Sequence, residues 1–169
     1  MHVIVDGYNV LFAIARYGRG RAVADALDEA RARLLPQLVR YAQETGDQVT
    51  VVFDSRRPAG GASRADSLPG VRVVYSHPPR TADDDIRRMV ETSTGPQHVR
   101  VVTSDRALAD ACRRAAAEVV GAETFHRQLT ARLREADADR HEHQIKRQPP
   151  DADEVREFLE LFGEGDPDA

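Results

Sequence analysis

The fold is decided by the stretch His2-Val3-Ile4-Val5-Asp6-Gly7, an apolar run that ends in an aspartate and a glycine. Such a run is typical of a buried strand followed by a turn. Two more apolar runs, residues 49–53 and 99–103, are followed in the same way by Asp54 and by Ser104-Asp105. The sequence therefore predicts buried strands that each deliver an acidic side chain at the carboxyl end.

Helical patterns lie between these runs. Apolar residues recur at helical spacing over residues 24–45, where Pro36 is expected to kink or split the helix. The pair Thr81 and Asp84 predicts a capped helix to about residue 93, and Ser104-Asp105 predicts another to about residue 118. Strands that alternate with helices predict an α/β fold with a mainly parallel sheet covered on both faces.

The composition bounds the class of protein. The chain has 169 residues, enough for one domain, with 24 basic and 28 acidic side chains. Its net charge of −4 argues against a general nucleic-acid coat, which would be strongly basic, but does not exclude a nuclease. The single cysteine, Cys112, excludes an internal disulfide framework, and no apolar run approaches the roughly 20 residues of a membrane span. We therefore expect a cytoplasmic protein with no membrane partner.

Residues 55–70 show no periodicity and carry Arg56, Arg57 and Arg64 among prolines and glycines. This composition predicts a mobile basic loop. The three arginines are candidates for binding an RNA backbone, and a merely solvated loop is an equally good interpretation.

We predict one domain over residues 1–145 and an appendage over residues 146–169. In the appendage, Gln148-Pro149-Pro150 ends the preceding helix, and Asp151 begins another that ends at Gly163. The apolar residues of this last helix share one face, so we expect it to dock on the domain. The final residues are expected to fray.

Acidic residues are predicted to meet at one edge of the sheet. Ligands of an open α/β sheet bind outside the carboxyl ends of the strands, where Asp6, Asp54 and Asp105 follow three apolar runs. The intervening helix start adds Asp83 and Asp84. Carboxylates brought this close repel one another, and their hard oxygen atoms suit Mg²⁺ or Mn²⁺. Each aspartate alone is more typical of a turn or a helix cap, so it is their shared location that favours a metal site.

Three polar residues near these acids have two interpretations each. Asn9 could hold a water molecule or a phosphate oxygen, or it could cap a helix over residues 10–15. Ser104 could bind a phosphate or cap the helix that follows it. Tyr8 is expected to pack in the protein rather than to stack on a base.

These motifs resemble a known family. The segment Val5-Asp6-Gly7-Tyr8-Asn9-Val10-Leu11 resembles the opening motif of NYN domains, which belong to the PIN-like nuclease superfamily. Val51-Val52-Phe53-Asp54, Thr81-Ala82-Asp83-Asp84 and Val102-Thr103-Ser104-Asp105 occur in the same order as in that family. The combination is most similar to the bacterial YacP-like NYN proteins and covers nearly the whole chain.

The resemblance implies a PIN-like three-layer α/β/α fold and a metal-dependent endoribonuclease. It implies an acidic centre of Asp6, Asp83 and Asp105, supported by Asn9, Asp54 and Ser104. Messenger RNA is the implied substrate and the ribosome an implied partner. The family pattern Thr-Ala-Asp-Glu ends here in Asp84, which is one methylene shorter. We therefore predict Mg²⁺ or Mn²⁺ on the acidic centre, with Asp54 and Asp84 as further ligands and Asn9 and Ser104 at the substrate.

Other function classes fit less well. A non-catalytic module that binds RNA or the ribosome through the same crevice is the main alternative, although acids that face phosphates gain nothing for pure binding. An aspartyl phosphatase needs a second aspartate two residues after the first, where this chain has Tyr8. A phospho-acceptor receiver needs an acidic pair and a late lysine, but Gly7 follows Asp6 and the only lysine is Lys146.

Overall fold

The computed structural model of the protein describes residues 1–15, 23–54, 66–147 and 156. Among these residues it contains six strands and five α-helices. In chain order the elements are β1 (His2–Asp6), α1 (Gly7–Ala15), α2 (Val23–Thr45), β2 (Gln48–Asp54), β3 (Asp66–Leu68), β4 (Val71–Ser76), α3 (Ala82–Glu91), β5 (Val99–Val102), α4 (Arg106–Arg114), β6 (Glu118–Val120) and α5 (Ala122–Arg147), with a 3₁₀ turn at Pro96–His98 before β5.

The strands form one sheet in the order β3-β4-β2-β1-β5-β6. Every neighbouring pair is parallel except β3 with β4. Val5 of the central strand β1 lies beside Val51 of β2 and Val102 of β5, so these three strands end almost level. The predicted mainly parallel sheet is thus confirmed, and the three strands that precede aspartates are direct neighbours.

Two apolar cores cover the two faces of the sheet, because successive side chains of a strand point to opposite faces. Val3 and Val5 enter one core, whereas Ile4 enters the other. The first core also contains side chains of α1, α2 and the start of α5, and the second contains side chains of α3 and α4. Burying one Leu or Phe side chain stabilises a fold by about 1.5–3 kcal/mol, so these two cores hold the helices against the sheet. The three-layer α/β/α prediction is confirmed.

Two predicted helices need correction. Helix α2 continues through Pro36 and is not split, and Leu34 and Leu38 are both fully buried in the same core. A kink at Pro36 remains a prediction. Helix α4 ends at Arg114, earlier than predicted, because Ala116 has a positive φ of 65° that leads the chain into β6.

Part of the predicted loop over residues 55–70 is ordered as an edge strand. Asp66–Leu68 forms β3, which pairs antiparallel with β4. Gly70, with a φ of +73°, supplies the turn between the two strands, and a left-handed backbone of this kind favours glycine. A strand of three residues is too short to produce a recognisable alternation, which is why the sequence did not indicate it.

Two compact units are distinguished, Met1–Arg134 and Glu135–Ala169, and the sheet lies entirely in the first. The boundary at residue 145 remains a prediction. The predicted proline break, docking helix and frayed tail fall outside the described residues, apart from the helical Arg156. Among the helices that the structure describes, none has the length and hydrophobicity needed to cross a lipid bilayer.

Candidate active site

The candidate site lies at the carboxyl edge of the sheet. Strands β2, β1 and β5 are adjacent there, so Asp6, Asp54 and Asp105 follow neighbouring strand ends. Helix α3 packs against β1 and β2 and begins at the same edge, which adds Asp83. Four separate connections of the chain therefore bring one carboxylate each to this edge, as the sequence predicts.

Asp6 is the most firmly held of these acids. It ends β1, is only 4% exposed, and precedes α1 in the position of its N-cap. The backbone N–H of Asn9 donates to its Oδ1 at 3.2 Å, and both the Asn9 side-chain amide and the Thr103 hydroxyl, at 3.1 Å, donate to its Oδ2. Burial raises the pKa of Asp6, these hydrogen bonds oppose the rise, and the charge of Asp54 adds to it.

The start of α1 is fixed against the sheet by a glycine. A Cβ atom at Gly7 would lie 2.2 Å from Cε1 of the buried Phe53 ring, so a larger residue forces that ring to move. The close approach lets α1 begin directly after Asp6. The direction of the first helical turn, and with it the position of Asn9, follows from this contact.

Asn9 lies inside α1 and is not its cap, so the predicted helix start at residue 10 is corrected by three residues. Its side chain joins two connections: the amide nitrogen donates to Asp6, and Oδ1 accepts the backbone N–H of Ser104 at 3.3 Å. The Ser104 hydroxyl in turn accepts the backbone N–H of Ala122, the first residue of α5, at 3.1 Å. Both predicted substrate-binding residues thus stand at the site, and both also hold it together.

Asp54 links β2 to the start of α3. Its Oδ1 accepts the backbone N–H of Ala82 at 2.6 Å, across 28 positions of sequence. This N–H is one of those that a helix start leaves without an intrahelical partner. The carboxylate therefore positions α3 while its own charge remains beside Asp6.

Asp84 belongs to the predicted capping box of α3, which is confirmed. Its backbone N–H donates to the Thr81 hydroxyl at 3.2 Å, and its carboxylate accepts the Thr81 backbone N–H at 3.0 Å. These hydrogen bonds lower the pKa of this exposed carboxyl. The carboxylate of Asp84 is therefore occupied at the cap of α3. Its neighbour in sequence, Asp83, is the acid whose pKa the other site acids affect.

Asp83 faces the other acids. Burial raises its pKa, followed by the charges of Asp6 and Asp105 and more weakly that of Asp54, while Arg87 opposes the rise. In the part of the chain that the structure describes, Asp83 makes no hydrogen bond or ion pair. Its carboxylate is available to a ligand and is repelled by three like charges, so a bound cation would relieve the repulsion.

Asp105 is the N-cap of α4. Its Oδ1 accepts the backbone N–H of Leu108 at 2.8 Å, and its own N–H donates to the Thr103 hydroxyl at 3.1 Å. Thr103 thereby touches both Asp105 and Asp6, a connecting role that sequence analysis missed. The only signal was a hydroxyl directly after a mainly apolar strand. A cavity of about 480 Å³ opens beside Asp105 and is lined in part by Ser104 and Gly121.

The donor set suits a hard divalent cation. Its ligands are carboxylate oxygens, supported by an amide and hydroxyls, which is the chemistry that Mg²⁺ and Mn²⁺ prefer. Over the described ranges, no three acidic, histidine or cysteine side chains already converge in metal-binding geometry. The mutual repulsion that acts on Asp83 is the observation that fits a cation there. The predicted Arg56, Arg57 and Arg64 lie outside the described residues.

Comparison with known proteins identifies the family. The model of the YacP-like NYN domain matches residues 3–160. The chain belongs to this family. This NYN domain is 26% identical, over 98% of each chain, to a Bacillus subtilis (strain 168) protein described as "Uncharacterized protein YacP".

Solved structures agree on the fold of this NYN domain. The crystal structure of Rae1 (YacP) from Bacillus subtilis has a TM-score of 0.68 and 23% identity, covering 96% of this chain and 92% of that one. A crystal structure of a mutant of the same Bacillus protein has the same TM-score and identity over 86% of this chain and 85% of that one. Membership of the family implies an RNA-related nuclease of the PIN-like type, a class that generally uses divalent metals.

Proposed function

We propose that this protein is a metal-dependent endoribonuclease that hydrolyses RNA phosphodiester bonds. The observation that carries the proposal is that four separate connections bring Asp6, Asp54, Asp83 and Asp105 to the carboxyl edge of the sheet. Burial and the charges of the other three acids raise the pKa of Asp83, in agreement with this arrangement. The four carboxylates are therefore close enough to act on one another. Membership of the NYN family, a nuclease family, supports the same conclusion.

In this proposal Asp6, Asp83 and Asp105 hold Mg²⁺ or Mn²⁺, with Asp54 beside them. When bound, the cation would neutralise the acids, draw the phosphate towards them and lower the pKa of a water molecule. Asp6 provides a fixed oxygen because three hydrogen bonds orient it. Asp83 provides an oxygen that no described contact competes for. A further role of Asp84 as a ligand remains a prediction.

The neighbouring residues position the substrate. Asn9 and Ser104 lie next to the acids, where they would contact a phosphate oxygen of the substrate. The hydrogen bond between these two residues holds both in place. We propose that Arg56, Arg57 and Arg64 also bind the RNA backbone, because their charge would offset the acidity of the site. Messenger RNA, presented on the ribosome in the cytoplasm, is the substrate we propose.

The test is cleavage of labelled single-stranded RNA in Mn²⁺, Mg²⁺ or EDTA. Wild-type protein should cut internally in a metal-dependent way and leave a 5′-phosphate and a 3′-hydroxyl, whereas Asp83→Asn and Asp105→Asn should not cut. Asp47→Asn is the matched control, because Asp47 precedes β2 at the opposite, amino-terminal end of the parallel strands and pairs with the N-terminal amine. Cleavage that persists in EDTA, or in both site variants, would contradict the proposal.

A second candidate is a non-catalytic module that binds RNA or the ribosome. It is favoured by one observation: Asp54 and Asp105 both bind backbone N–H groups at helix starts, so their presence has a structural explanation. The same assay repeated with translating ribosomes separates the two. Binding without cutting under every metal condition supports the module, and metal-dependent cutting of ribosome-bound mRNA supports the enzyme.

A further inference from the structure

Aromatic rings form a row along the site edge, from α1 to β4. The Phe12 and Tyr8 ring centroids are 6.4 Å apart, and Tyr8 meets Phe53 edge to face at 5.7 Å. Phe53 then stacks on Tyr75 at 5.8 Å. The inner ring, Phe53, is fully buried, whereas Phe12 at the outer end is 47% exposed. The row thus runs from the core of the protein to solvent.

Phe12 lies on the same helix as Asn9, a residue that contacts the acidic centre. It follows Asn9 by three positions and Tyr8 by four, so all three share one side of α1. Asn9 on that side contacts both Asp6 and Ser104. Phe12 therefore lies one helical turn beyond a residue of the site. A single exposed apolar residue is ordinary, but an exposed ring that is backed by another ring beside a candidate nuclease centre has the form of a stacking surface.

A positive charge accompanies the row. The Arg31 guanidinium lies 4.8 Å from the Phe53 ring centroid, and its Nη2 donates to the Tyr8 hydroxyl at 3.4 Å. Its Nε is buried and has no hydrogen-bond partner within the described parts of the chain. Arg31 keeps Tyr8 in place behind Phe12 and adds positive potential at this end of an otherwise acidic edge. An anionic polymer with flat aromatic groups matches this combination.

We propose that Phe12, backed by Tyr8, is a stacking platform for a nucleobase of single-stranded RNA adjacent to the scissile phosphate. The proposal rests on the nuclease function proposed above and adds how the strand is placed. A base on Phe12 directs its phosphate along α1 towards Asn9 and Asp6. Every base has a face that can stack, so the platform favours unpaired RNA with little preference for sequence.

The decisive experiment uses the absence of tryptophan from the chain. Phe12→Trp introduces a single tryptophan, which can be excited at wavelengths that the four tyrosines do not absorb and whose emission a stacked base should quench. We expect quenching by short oligoadenylate in EDTA, where no metal-dependent cutting occurs, and little by an abasic ribose-phosphate oligomer of equal length. Leu68→Trp is the matched control. Leu68 is also exposed, but it pairs with Val71 at the start of β4, whereas the site lies at the carboxyl ends of the strands. Equal quenching by both oligomers, or in both variants, would overturn the proposal.

Comparison of KM with kcat gives a second readout, which a folding defect would not reproduce. Phe12→Ala and Phe12→Leu should each raise KM about fivefold to a hundredfold and leave kcat nearly unchanged, whereas Phe12→Trp should retain the wild-type KM. Unchanged KM in an active Phe12→Ala protein would refute the platform alone. Base-dependent quenching in a protein that never cuts RNA would refute the nuclease and keep the platform.

Discussion

Helices α3 and α4 both begin at the site edge, yet they use their acids differently. At α4 the site acid is itself the cap, since Asp105 binds a backbone N–H of the first turn. At α3 the capping is done by Thr81 and Asp84, and Asp54 binds the first N–H from another strand. Among the residues that the structure describes, Asp83 caps neither helix and accepts no hydrogen bond.

The difference shows where function and stability are separable. An acid that caps a helix stabilises the fold, so its replacement affects both properties. An acid whose charged neighbours are mainly other acids lowers the stability of the fold in the absence of a cation, because like charges disfavour its ionised form. Asp83 is the acid whose presence the fold explains least. It is therefore the clearest candidate for a residue whose role is chemical and not structural.

The largest effect is expected from Asp83→Asn. Cleavage should fall by more than about 100-fold, beyond the loss that removal of a supporting residue around a metal typically causes. Stability without metal should stay within about 0.5 kcal/mol of wild type, because relief of repulsion offsets the lost interaction with the helix dipole. RNA cleavage and chemical denaturation measure the two quantities. A marked loss of stability would show that Asp83 is structural after all.

Asp105 separates the two roles within one residue. Asp105→Asn and Asp105→Ala should both abolish cleavage, since neither retains a carboxylate. Only the alanine variant should also lose about 1 kcal/mol of stability, because asparagine caps a helix as well as aspartate does. Thermal unfolding of the two variants makes the comparison. Equal stability of both would mean that the hydrogen bond to Leu108 contributes little.

At α3 the capping residues should affect stability alone. Thr81→Ala should lower the free energy of unfolding by about 1 kcal/mol and change cleavage less than threefold, as expected for the loss of a cap away from the reacting atoms. Asp84→Asn should weaken the same box with cleavage preserved. If Asp84→Asn instead stops cleavage as Asp83→Asn does, Asp84 is a metal ligand, as predicted in the sequence analysis.

The smallest effect is a difference in pH dependence between two consecutive acids. The raised pKa of Asp83 means that its favourable contribution is complete below the ordinary value of 3.8 and is lost as pH rises through the raised value. The lowered pKa of Asp84 gives a contribution present above 3.8 that is lost as pH falls through the lowered value. Unfolding of the two asparagine variants between acid and neutral pH, without metal, should therefore differ from wild type in opposite directions. Parallel trends would contradict the assignment.

The sequence predicted the features that depend on local patterns. Apolar runs that end in Asp6, Asp54 and Asp105 revealed the strands and the edge at which ligands bind. The spacing of Thr81 and Asp84 revealed the capping box. These signals work because a buried strand and a helix cap each require particular residue types within a few positions.

Contacts between distant segments could not be predicted in this way. That Asp54 reaches the start of α3, and that Thr103 reaches Asp6, depends on which strands become neighbours. The exposure of Phe12 likewise depends on how α1 lies on the sheet. The difference in role between Asp83 and the acids that cap helices depends on these same long-range contacts. A sequence motif alone therefore could not reveal it.

The link between Thr103 and Asp6 has a consequence for when the protein becomes active. The two residues are 97 positions apart, and only the pairing of β5 with β1 brings the hydroxyl to the carboxylate. A chain that has been synthesised only as far as β4 carries Asp6 and Asp54 but still lacks Asp83, Thr103 and Asp105. Non-local strand pairing is also a slow step of folding. If the protein is the nuclease proposed above, it would become competent to cut RNA only when the sheet is complete, and a nascent chain would not yet cut.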